Sequence, residues 1–299
     1  MSLPGLTLDR PRDLPMNDAY PLTIDAEDRL SATDFARIAA YVTQVSGIKM
    51  PSNKAVMLAG RLRRRVRATG CECLADYCDW LFDGGNLEAE AEHLINAVTT
   101  NKTDFFREPA HFDYLTDTIL PAMARAGQRR IRVWSTACSS GAEPYTIAML
   151  LDAFAQDRDG PGFGILATDL DTEMLDVARR GVFPVAAIDP VPPALQQRYV
   201  MRAAARGRQE VRMAPALRAA IGFARLNLMD ERYRVGEPMD LIFCRNVLIY
   251  FDRPTQERVV RRLIACLQPG GYLFLGHSES IAGLDLPLTT VANTIFRRN

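Results

Sequence analysis

The sequence predicts an α/β fold in which a doubly wound parallel sheet follows a small all-α domain. Three observations support this fold class. From residue 131 onward, apolar β-branched runs alternate with helical patterns, an order typical of a parallel sheet with helices on both faces. Residues 29–99 show helical periodicity alone. Short runs between about 198 and 223 interrupt the strand–helix order and indicate a small inserted antiparallel β-subdomain.

The composition restricts the functional classes. The chain has 299 residues, is 48% hydrophobic and 24% charged, and has a formal net charge of zero. We therefore expect a soluble globular protein with no overall attraction to nucleic acid or anionic membranes. No apolar run is long enough to span a membrane, and residues 1–25 lack a signal-peptide core. Six cysteines without a C-x-x-C pair and only three histidines argue against a metal site. Free thiols without a disulfide framework favour a cytoplasmic location. A monomer is the default expectation.

The predicted helical domain spans about residues 29–99 and follows a proline-containing tail, residues 1–28, that we expect to be flexible. Ser31 is a suitable N-cap for the first helix, and Gly47 is a suitable terminator. Further helical patterns follow at about 53–68, 77–82 and 88–98.

The predicted helix at about 53–68 carries the strongest charge feature of the chain. Leu58, Leu62 and Val66 belong to one apolar stripe, and five arginines surround it. These are Arg61, Arg63, Arg64, Arg65 and Arg67. Unpaired arginines on one surface repel each other, which indicates an acidic partner surface. A solvated face that keeps the domain soluble is the alternative.

The segment 99–109 joins the helical domain to the α/β part. Its sequence, Thr-Thr-Asn-Lys-Thr-Asp-Phe-Phe-Arg-Glu-Pro, mixes hydrogen-bonding side chains with two aromatic rings. A loop that holds a ligand and a capped turn before a helix at 111–120 both fit this pattern.

The α/β part opens with a strand at 131–135, a turn of small residues and a helix from about 145 to 154. Ser139, Ser140 and Gly141 obstruct the turn little and offer backbone N–H groups at a helix N-terminus, where a cofactor can approach. Since only Gly141 of the G-x-G-x-x-G pattern is present, an ordinary turn is equally compatible.

A second strand, at 163–168, ends in Asp169, where nucleotide-binding folds hold the ribose hydroxyls. Asp169 lies farther from Gly141 than the ~20 residues usual in dinucleotide folds, which argues against NAD. We expect Asp171 to cap a helix at 172–180.

The remaining pattern contains the insertion and the end of the sheet. Runs at 198–202, 209–213 and 220–223 indicate short strands whose exposed edge can accept a peptide strand. Residues 221–226 also fit the resumed strand–helix order. That order continues with strands at 239–244, 272–276 and 290–296 and a helix at 254–267.

Polar side chains gather where the predicted parallel strands end. Glu143 follows the first strand, Asp169 the second, and Asn227 and Asn246 later ones. The ligand crevice of an open parallel sheet lies at the carboxyl ends of its strands. We therefore expect these side chains to surround one ligand.

Five sequence blocks, in order, closely resemble the chemotaxis receptor glutamate O-methyltransferases, the CheR type. The blocks are Thr-Asn-Lys-Thr-Asp-Phe-Phe-Arg (100–107), Ala-Cys-Ser-Ser-Gly-Ala-Glu-Pro-Tyr (137–145), Ala-Thr-Asp-Leu-Asp (167–171), Phe-Cys-Arg-Asn-Val-Leu-Ile-Tyr-Phe-Asp (243–252) and Gly-His-Ser-Glu (276–279). The resemblance covers about residues 30–297. It implies a Rossmann-like S-adenosylmethionine-dependent methyltransferase domain at 100–299, with the helical domain before it and the β-subdomain inserted.

The resemblance also implies a reaction and its partners. Members of this family methylate glutamate side chains on the cytoplasmic helices of chemoreceptors, which yields γ-glutamyl methyl esters and S-adenosylhomocysteine and serves adaptation. The arginine-rich helix would then complement acidic receptor helices. Some members bind a receptor C-terminal peptide on the β-subdomain. The turn at 203–208 is poor in glycine, so this second contact stays open.

Carried over position by position, the resemblance predicts the site residues. Glu143 would bind near the methionine end of the cofactor and Asp169 the ribose, while Tyr250 would lie near the sulfonium with Arg107 beside it. The other predicted cofactor-binding residues are Asn101, Thr103, Arg107, Ala137, Gly141, Asn227, Leu228, Arg245 and Asn246. The family usually has an acidic residue where Ala142 stands, so we expect cofactor binding to survive with some loss of affinity.

The chemistry agrees with this assignment. A glutamate acceptor, with an unperturbed pKa of about 4.3, is ionised at neutral pH and needs no general base. We expect catalysis from orientation and exclusion of water, with Arg107 steering the carboxylate or fixing the cofactor. For Tyr250, a packed aromatic ring is the alternative. The adjacent residues 277–279, His-Ser-Glu, cannot adopt the geometry of a hydrolase triad, so we predict a structural loop there.

Three other functions fit parts of the sequence. A receptor-associated sensor that binds the cofactor without turnover would not need Arg107, Asn246 and Tyr250. A nucleic-acid methyltransferase would typically carry an Asn/Asp-Pro-Pro-Tyr/Phe motif where Arg-Asn-Val-Leu (245–248) stands. The incomplete glycine pattern disfavours a nicotinamide dehydrogenase. The methyltransferase is the first choice.

Overall fold

The computed structural model describes residues 29–202, 207 and 209–299. The predicted tail, 1–28, and most of the predicted turn at 203–208 lie outside the described residues. The first described part is a bundle of helices, namely α1 (Ala32–Ser46), α2 (Ala55–Thr69), α3 (Leu74–Phe82) and α4 (Leu87–Val98).

Local chemistry sets the ends of α1, as predicted. The hydroxyl of Ser31 accepts a hydrogen bond from the N–H of Asp34, and Gly47 ends the helix with φ +72°. The bundle has its own core, in which Ile38, Leu62 and Leu94 are fully buried.

The α/β part begins with α5 (Ala110–Tyr114) and α6 (Leu120–Arg125), joined by a π-helical turn (Leu115–Ile119). This helical stretch is longer than the predicted helix at 111–120. The elements that follow are β1 (Arg130–Ser135), α7 (Ala142–Arg158), β2 (Gly162–Asp169), α8 (Thr172–Arg180), β3 (Val182–Pro184), α9 (Pro193–Tyr199), β4 (Val200–Arg202), β5 (Glu210–Met213), α10 (Pro215–Ala219), β6 (Ile221–Arg225), β7 (Met239–Cys244), α11 (Arg253–Cys266), β8 (Leu267–Leu275), β9 (Leu288–Ala292) and β10 (Ile295–Arg298).

The main sheet has seven strands in the order β6-β2-β1-β7-β8-β10-β9. The first five are parallel, as predicted, but β10 pairs antiparallel with both β8 and β9. The prediction of one final strand at 290–296 is wrong, because the chain reverses between β9 and β10 at Thr294, which has φ +53°. The sheet is therefore mixed.

Both faces of the sheet are covered. Val133 and Leu241 pack in one core with α7, whereas Trp134 and Ile242 pack in the other with α11. Every residue of β7 is buried, which is the burial expected of a central parallel strand.

A separate antiparallel sheet has the order β3-β5-β4. Two of its strands, at 200–202 and 210–213, lie where the sequence predicted them. The assignment of 220–223 to this sheet is wrong, because β6 pairs parallel with β2 in the main sheet. Its place in the sheet is taken by β3, which pairs with β5. The sequence analysis did not predict β3, because the prolines in this stretch gave no strand pattern.

The helical bundle is fixed against the carboxyl edge of the main sheet. The hydroxyl of Thr99 donates a hydrogen bond of 2.7 Å to Asp171 at the start of α8. The amide of Asn227, just after β6, donates one of 2.7 Å to the carbonyl of Val45 in α1. Asp171 also caps α8 by accepting from the N–H of Met174, as predicted. In the described part of the chain, none of the helices combines the length and apolar character needed to cross a membrane.

Candidate active site

A cavity lies between the carboxyl ends of the parallel strands and the helical bundle. It encloses about 910 Å³, including its open mouth. Residues of the segment 99–107 form one side, and Ser46 and Ile48 from the end of α1 form another. The contribution of the bundle was not predicted, since nothing in its pattern shows which face meets the sheet.

Eleven of the twelve predicted cofactor and catalytic residues line this cavity. They are Asn101, Thr103, Arg107, Ala137, Glu143, Asp169, Asn227, Leu228, Arg245, Asn246 and Tyr250. Gly141 is the exception. It has φ +96°, and a Cβ atom there would lie 2.9 Å from the Cβ of Ala178. Gly141 therefore lets the turn pack against α8 and does not border the cavity.

Asp169 is held at the bottom of the turn after β1. Its carboxylate accepts hydrogen bonds from the N–H of Ser139 at 2.7 Å and of Asp171 at 2.9 Å. Burial raises the pKa of Asp169, and these two N–H groups oppose the rise. The turn thus fixes the carboxylate at the end of β2.

The segment 99–107 is tied down along its length. Asn101 donates a 2.7 Å hydrogen bond to Asp171, and its carbonyl accepts one of 2.8 Å from Ser139. The guanidinium of Arg107 donates to the carbonyl of Lys102 at 3.0 Å, which closes the segment into a loop. Of the two sequence interpretations, a loop at the cavity fits, with its side chains partly used in holding the loop itself.

Arg245 is the buried charge centre of the cavity, with only 2% of its side chain exposed. It donates a hydrogen bond of 2.9 Å to Glu143 and one of 3.0 Å to Glu108. It also donates to the carbonyl of Arg107. Glu143 accepts a further hydrogen bond of 2.7 Å from the hydroxyl of Ser135. Two carboxylates from different segments therefore share one guanidinium.

Glu108 was missed by the sequence analysis. Burial alone would raise its pKa, but hydrogen bonds from Asn246 and from the N–H of His277, together with the charge of Arg245, lower the pKa to about 2. It is thus ionised at any neutral pH. Its position next to Arg107 was the only signal, since no spacing rule marks a single glutamate.

The turn after β7 carries Asn246, a non-glycine residue with φ +59°. Glu279 holds this turn by accepting hydrogen bonds of 3.0, 2.8 and 2.7 Å from the N–H groups of Asn246, Val247 and Leu248. A fourth comes from Gly276 at 2.6 Å. Both oxygens of the Glu279 carboxylate are thus occupied by backbone N–H groups, two on each oxygen. The structural interpretation of the His-Ser-Glu loop is confirmed.

Tyr250 and Asn227 border the cavity beside the bundle. The carbonyl of Tyr250 accepts a hydrogen bond of 3.0 Å from the N–H of Lys49. The side-chain amide of Asn227 is used by Val45, as described above, and Leu228 is buried beside it. Asn227 therefore joins the two parts of the chain as well as lining the cavity.

Glu108, His111 and His277 bring possible metal-ligand atoms within 4.8 Å of one another. The sequence argument against a metal site rested on cysteine spacing and histidine number, and it did not foresee this cluster. Burial and the charge of Arg245 lower the pKa of His111 to about 4. The same guanidinium, 3.0 Å from Glu108, disfavours a cation here.

The arginines of α2 differ from the prediction of an unpaired basic surface. Arg65 forms a bidentate pair with Glu90, at 2.6 and 2.9 Å, and Arg64 pairs with Glu173 of α8 at 2.7 Å. Arg61 donates to the carbonyl of Val98 at 3.1 Å. Arg63 is half-buried, and Arg67 is exposed. The premise is wrong for Arg61, Arg64 and Arg65, because carboxylates and carbonyls distant in sequence fold onto them, so it fails as a description of the whole surface.

Comparison with known proteins agrees with this architecture. Two family models match the chain, "CheR methyltransferase, all-alpha domain" over residues 33–99 and "CheR methyltransferase, SAM binding domain" over residues 101–296. The chain belongs to the CheR methyltransferase family. The chemotaxis protein methyltransferase of Salmonella typhimurium is 40% identical over 89% of this chain and 90% of its own length.

Other CheR methyltransferases are similarly close over nearly their full lengths. The Escherichia coli chemotaxis protein methyltransferase is 38% identical over 92% of this chain and 94% of its own. Chemotaxis protein methyltransferase 2 of Pseudomonas aeruginosa is 34% identical over 95% and 99%. The predicted family, fold class and cofactor, S-adenosylmethionine, are confirmed.

The cavity of this CheR methyltransferase fits that cofactor chemically. S-adenosylmethionine has an adenine ring, a ribose diol, a sulfonium and an amino-acid end with both charges. The cavity offers apolar walls at Ile48, Leu228 and Val247, and it offers the carboxylates of Asp169 and Glu143. These apolar and anionic groups suit a ligand that is part apolar and part cationic.

Proposed function

We propose that this CheR methyltransferase methylates glutamate side chains of chemoreceptor cytoplasmic helices and forms γ-glutamyl methyl esters. The observation that carries the proposal is the convergence of Arg107, Glu143, Asp169, Asn246 and Tyr250 around one cavity. The names of the relatives, chemotaxis protein methyltransferases, supply the biological setting. The family resemblance of the sequence supplies the glutamate acceptor.

Within the cavity we assign Asp169 to the ribose and Glu143 with Arg245 to the amino-acid end of the cofactor. Asn101, Thr103, Ala137, Asn227, Leu228 and Asn246 complete the binding surface. S-adenosylmethionine supplies an electrophilic methyl group on a positively charged sulfur. The residues of the chain hold the two reactants, align the reacting atoms and exclude water. Alignment and exclusion of water both lower the barrier to methyl transfer.

A carboxylate acceptor agrees with the acid–base character of the cavity. No histidine is among the residues that line it in the described part of the chain. An ionised glutamate, with an unperturbed pKa of about 4.3, needs no proton removed before it attacks, whereas an ammonium acceptor would need a base. Arg107 and Lys102 on the cavity loop are the cations that we assign to steering the incoming carboxylate.

The decisive experiment measures the transfer of labelled methyl groups from S-adenosylmethionine to cytoplasmic fragments of a panel of chemoreceptors. We expect label that base releases as volatile methanol, because esters hydrolyse and N-methyl groups do not, and we expect mapping to place it on glutamates. Base-stable label, or no label on any receptor although S-adenosylhomocysteine binds, would contradict the proposal.

Arg107→Ala tests the assigned steering role. We expect receptor turnover to fall at least about tenfold with unchanged thermal stability, because the lost hydrogen bond to Lys102 is partly exposed. Arg125→Ala, at an exposed position in α6, is the matched control. Equal turnover in both variants would remove Arg107 from the site.

A further inference from the structure

Glu108 joins the two sides of the cavity through one carboxylate. One oxygen accepts hydrogen bonds from the side-chain amide of Asn246 at 3.0 Å and from the N–H of His277 at 3.2 Å. The other accepts from Arg245 at 3.0 Å. Glu108 itself lies at the end of the loop that carries Arg107, and only 13% of its side chain is exposed.

The backbone on both sides of this contact is in the left-handed region. Phe106 has φ +53° and Glu108 has φ +59°, so two such non-glycine residues flank Arg107. Asn246, across the contact, also has φ +59°. Non-glycine residues rarely adopt this conformation, and it persists where surrounding interactions fix it. The Glu108 carboxylate is the group that links these strained segments.

We propose that Glu108 is a positioning residue that sets Arg245 and Asn246 for the amino-acid end of the cofactor. The three groups that hydrogen-bond to it are all donors, so both carboxylate oxygens must act as acceptors. Glutamine has the same length but would place an NH₂ group against a donor. The proposal rests on the assignment of Glu143 and Arg245 to that end of the cofactor and not on the identity of the methyl acceptor.

Glu108→Gln tests this proposal with two ligands and no receptor. Calorimetry compares S-adenosylhomocysteine with 5′-methylthioadenosine, which shares the adenosine but lacks the amino-acid end. We expect the Kd for S-adenosylhomocysteine to rise at least about tenfold, because a buried charged contact is lost. We expect the Kd for 5′-methylthioadenosine to change less than about twofold, since its contacts lie elsewhere.

The matched control is Glu237→Gln, which removes an exposed carboxylate paired with Arg132 and should change neither Kd. An equal loss for both ligands would mean that Glu108 only supports the fold, and an unchanged Kd for both would mean that it positions nothing; either result overturns the proposal. Glu108→Asp, which keeps the charge but shortens the reach, must show the same selective loss if the glutamine variant does not fold. Failure of the wild type to bind either ligand would contradict the cavity assignment instead.

Discussion

In the described part of the chain, Arg65 and Arg245 each pair with glutamate away from bulk solvent, and their surroundings differ. Arg65, in the helical bundle, gives two donors to both oxygens of Glu90, and Tyr77 adds a hydrogen bond of 3.1 Å to the same carboxylate. Arg245, at the end of β7, divides its donors between Glu108 and Glu143 on two separate segments.

The difference lies in what remains for a ligand. Around Arg65 one carboxylate balances one guanidinium, and neither residue lines the cavity. Around Arg245 two carboxylates surround one guanidinium, so a net negative charge remains beside a cavity. Such an excess suits the positive charges of a sulfonium and an ammonium group. The same pair of residue types thus serves as a cross-link in one region and as a binding surface in the other.

Replacing Arg245 should give the largest effect. Arg245→Met leaves two carboxylates close together and partly buried, which we expect to lower the free energy of unfolding by about 3–5 kcal/mol. It should also abolish measurable binding of S-adenosylhomocysteine. Urea unfolding and calorimetry measure the two effects. Retained ligand affinity would show that the two regions do not differ in the way described.

Arg65→Met is the counterpart in the bundle. It leaves only Glu90 without its partner, so we expect the free energy of unfolding to fall by about 3 kcal/mol, at the lower end for broken buried pairs. Below the unfolding transition, affinity for S-adenosylhomocysteine should equal that of the wild type. A loss of affinity as large as in Arg245→Met would remove the distinction between the regions.

The sequence predicted what local chemistry and sheet topology decide. Ser31 and Asp171 cap the starts of helices and Gly47 ends one, all where predicted, because caps use neighbouring backbone groups. Glu143 and Asp169 meet at one cavity because consecutive parallel strands end at the same edge. The resemblance of five sequence blocks to the family then assigned chemical roles to residues that spacing alone did not.

Partners that are distant in sequence could not be predicted. Helical periodicity showed that Arg65 flanks an apolar stripe, but not that α4 would bring Glu90 onto it. Glu108 has no periodic or spacing signal, and its importance follows from Arg245 and Asn246, which are reached only through the folded sheet. The final hairpin was missed because it depends on a left-handed turn at Thr294, a residue type that does not mark such turns.

Acid should destabilise the folded protein through His111, which lies beside Glu108. The pKa of His111 is lowered to about 4, below the ordinary value, so between about pH 6.5 and 4 the unfolded chain binds a proton that the folded chain does not. We expect the free energy of unfolding to fall by about 2 kcal/mol from pH 7 to pH 4.5. Glu108, with its pKa lowered to about 2, loses its own contribution gradually as the pH falls from about 5 to 2, so most of it remains at pH 4.5.

Urea unfolding at both pH values checks this expectation. His111→Asn should remove the decrease, while His93→Asn, at an exposed position in α4 of the bundle, should keep it. A decrease of the same size in His111→Asn would mean that other groups cause the acid sensitivity.

The smallest effect is expected on the outer surface of α2. Arg64 is held by Glu173 across the boundary between the bundle and α8, so its replacement would disturb that boundary as well as any receptor contact. Arg67 is exposed and gives the cleaner test. Arg67→Glu should slow association with a receptor fragment about threefold at low salt, because charges at the rim of an interface act mainly on encounter.

High salt should remove this difference, because exposed charges are screened. The control is Arg261→Glu, at a half-exposed position of α11 that pairs with Glu257. Binding of S-adenosylhomocysteine and the unfolding free energy should stay near wild type in both variants, since exposed charges contribute at most about 1 kcal/mol. Equal slowing in both variants would point to net charge, and a salt-independent loss would point to a contact; either would contradict long-range steering by α2.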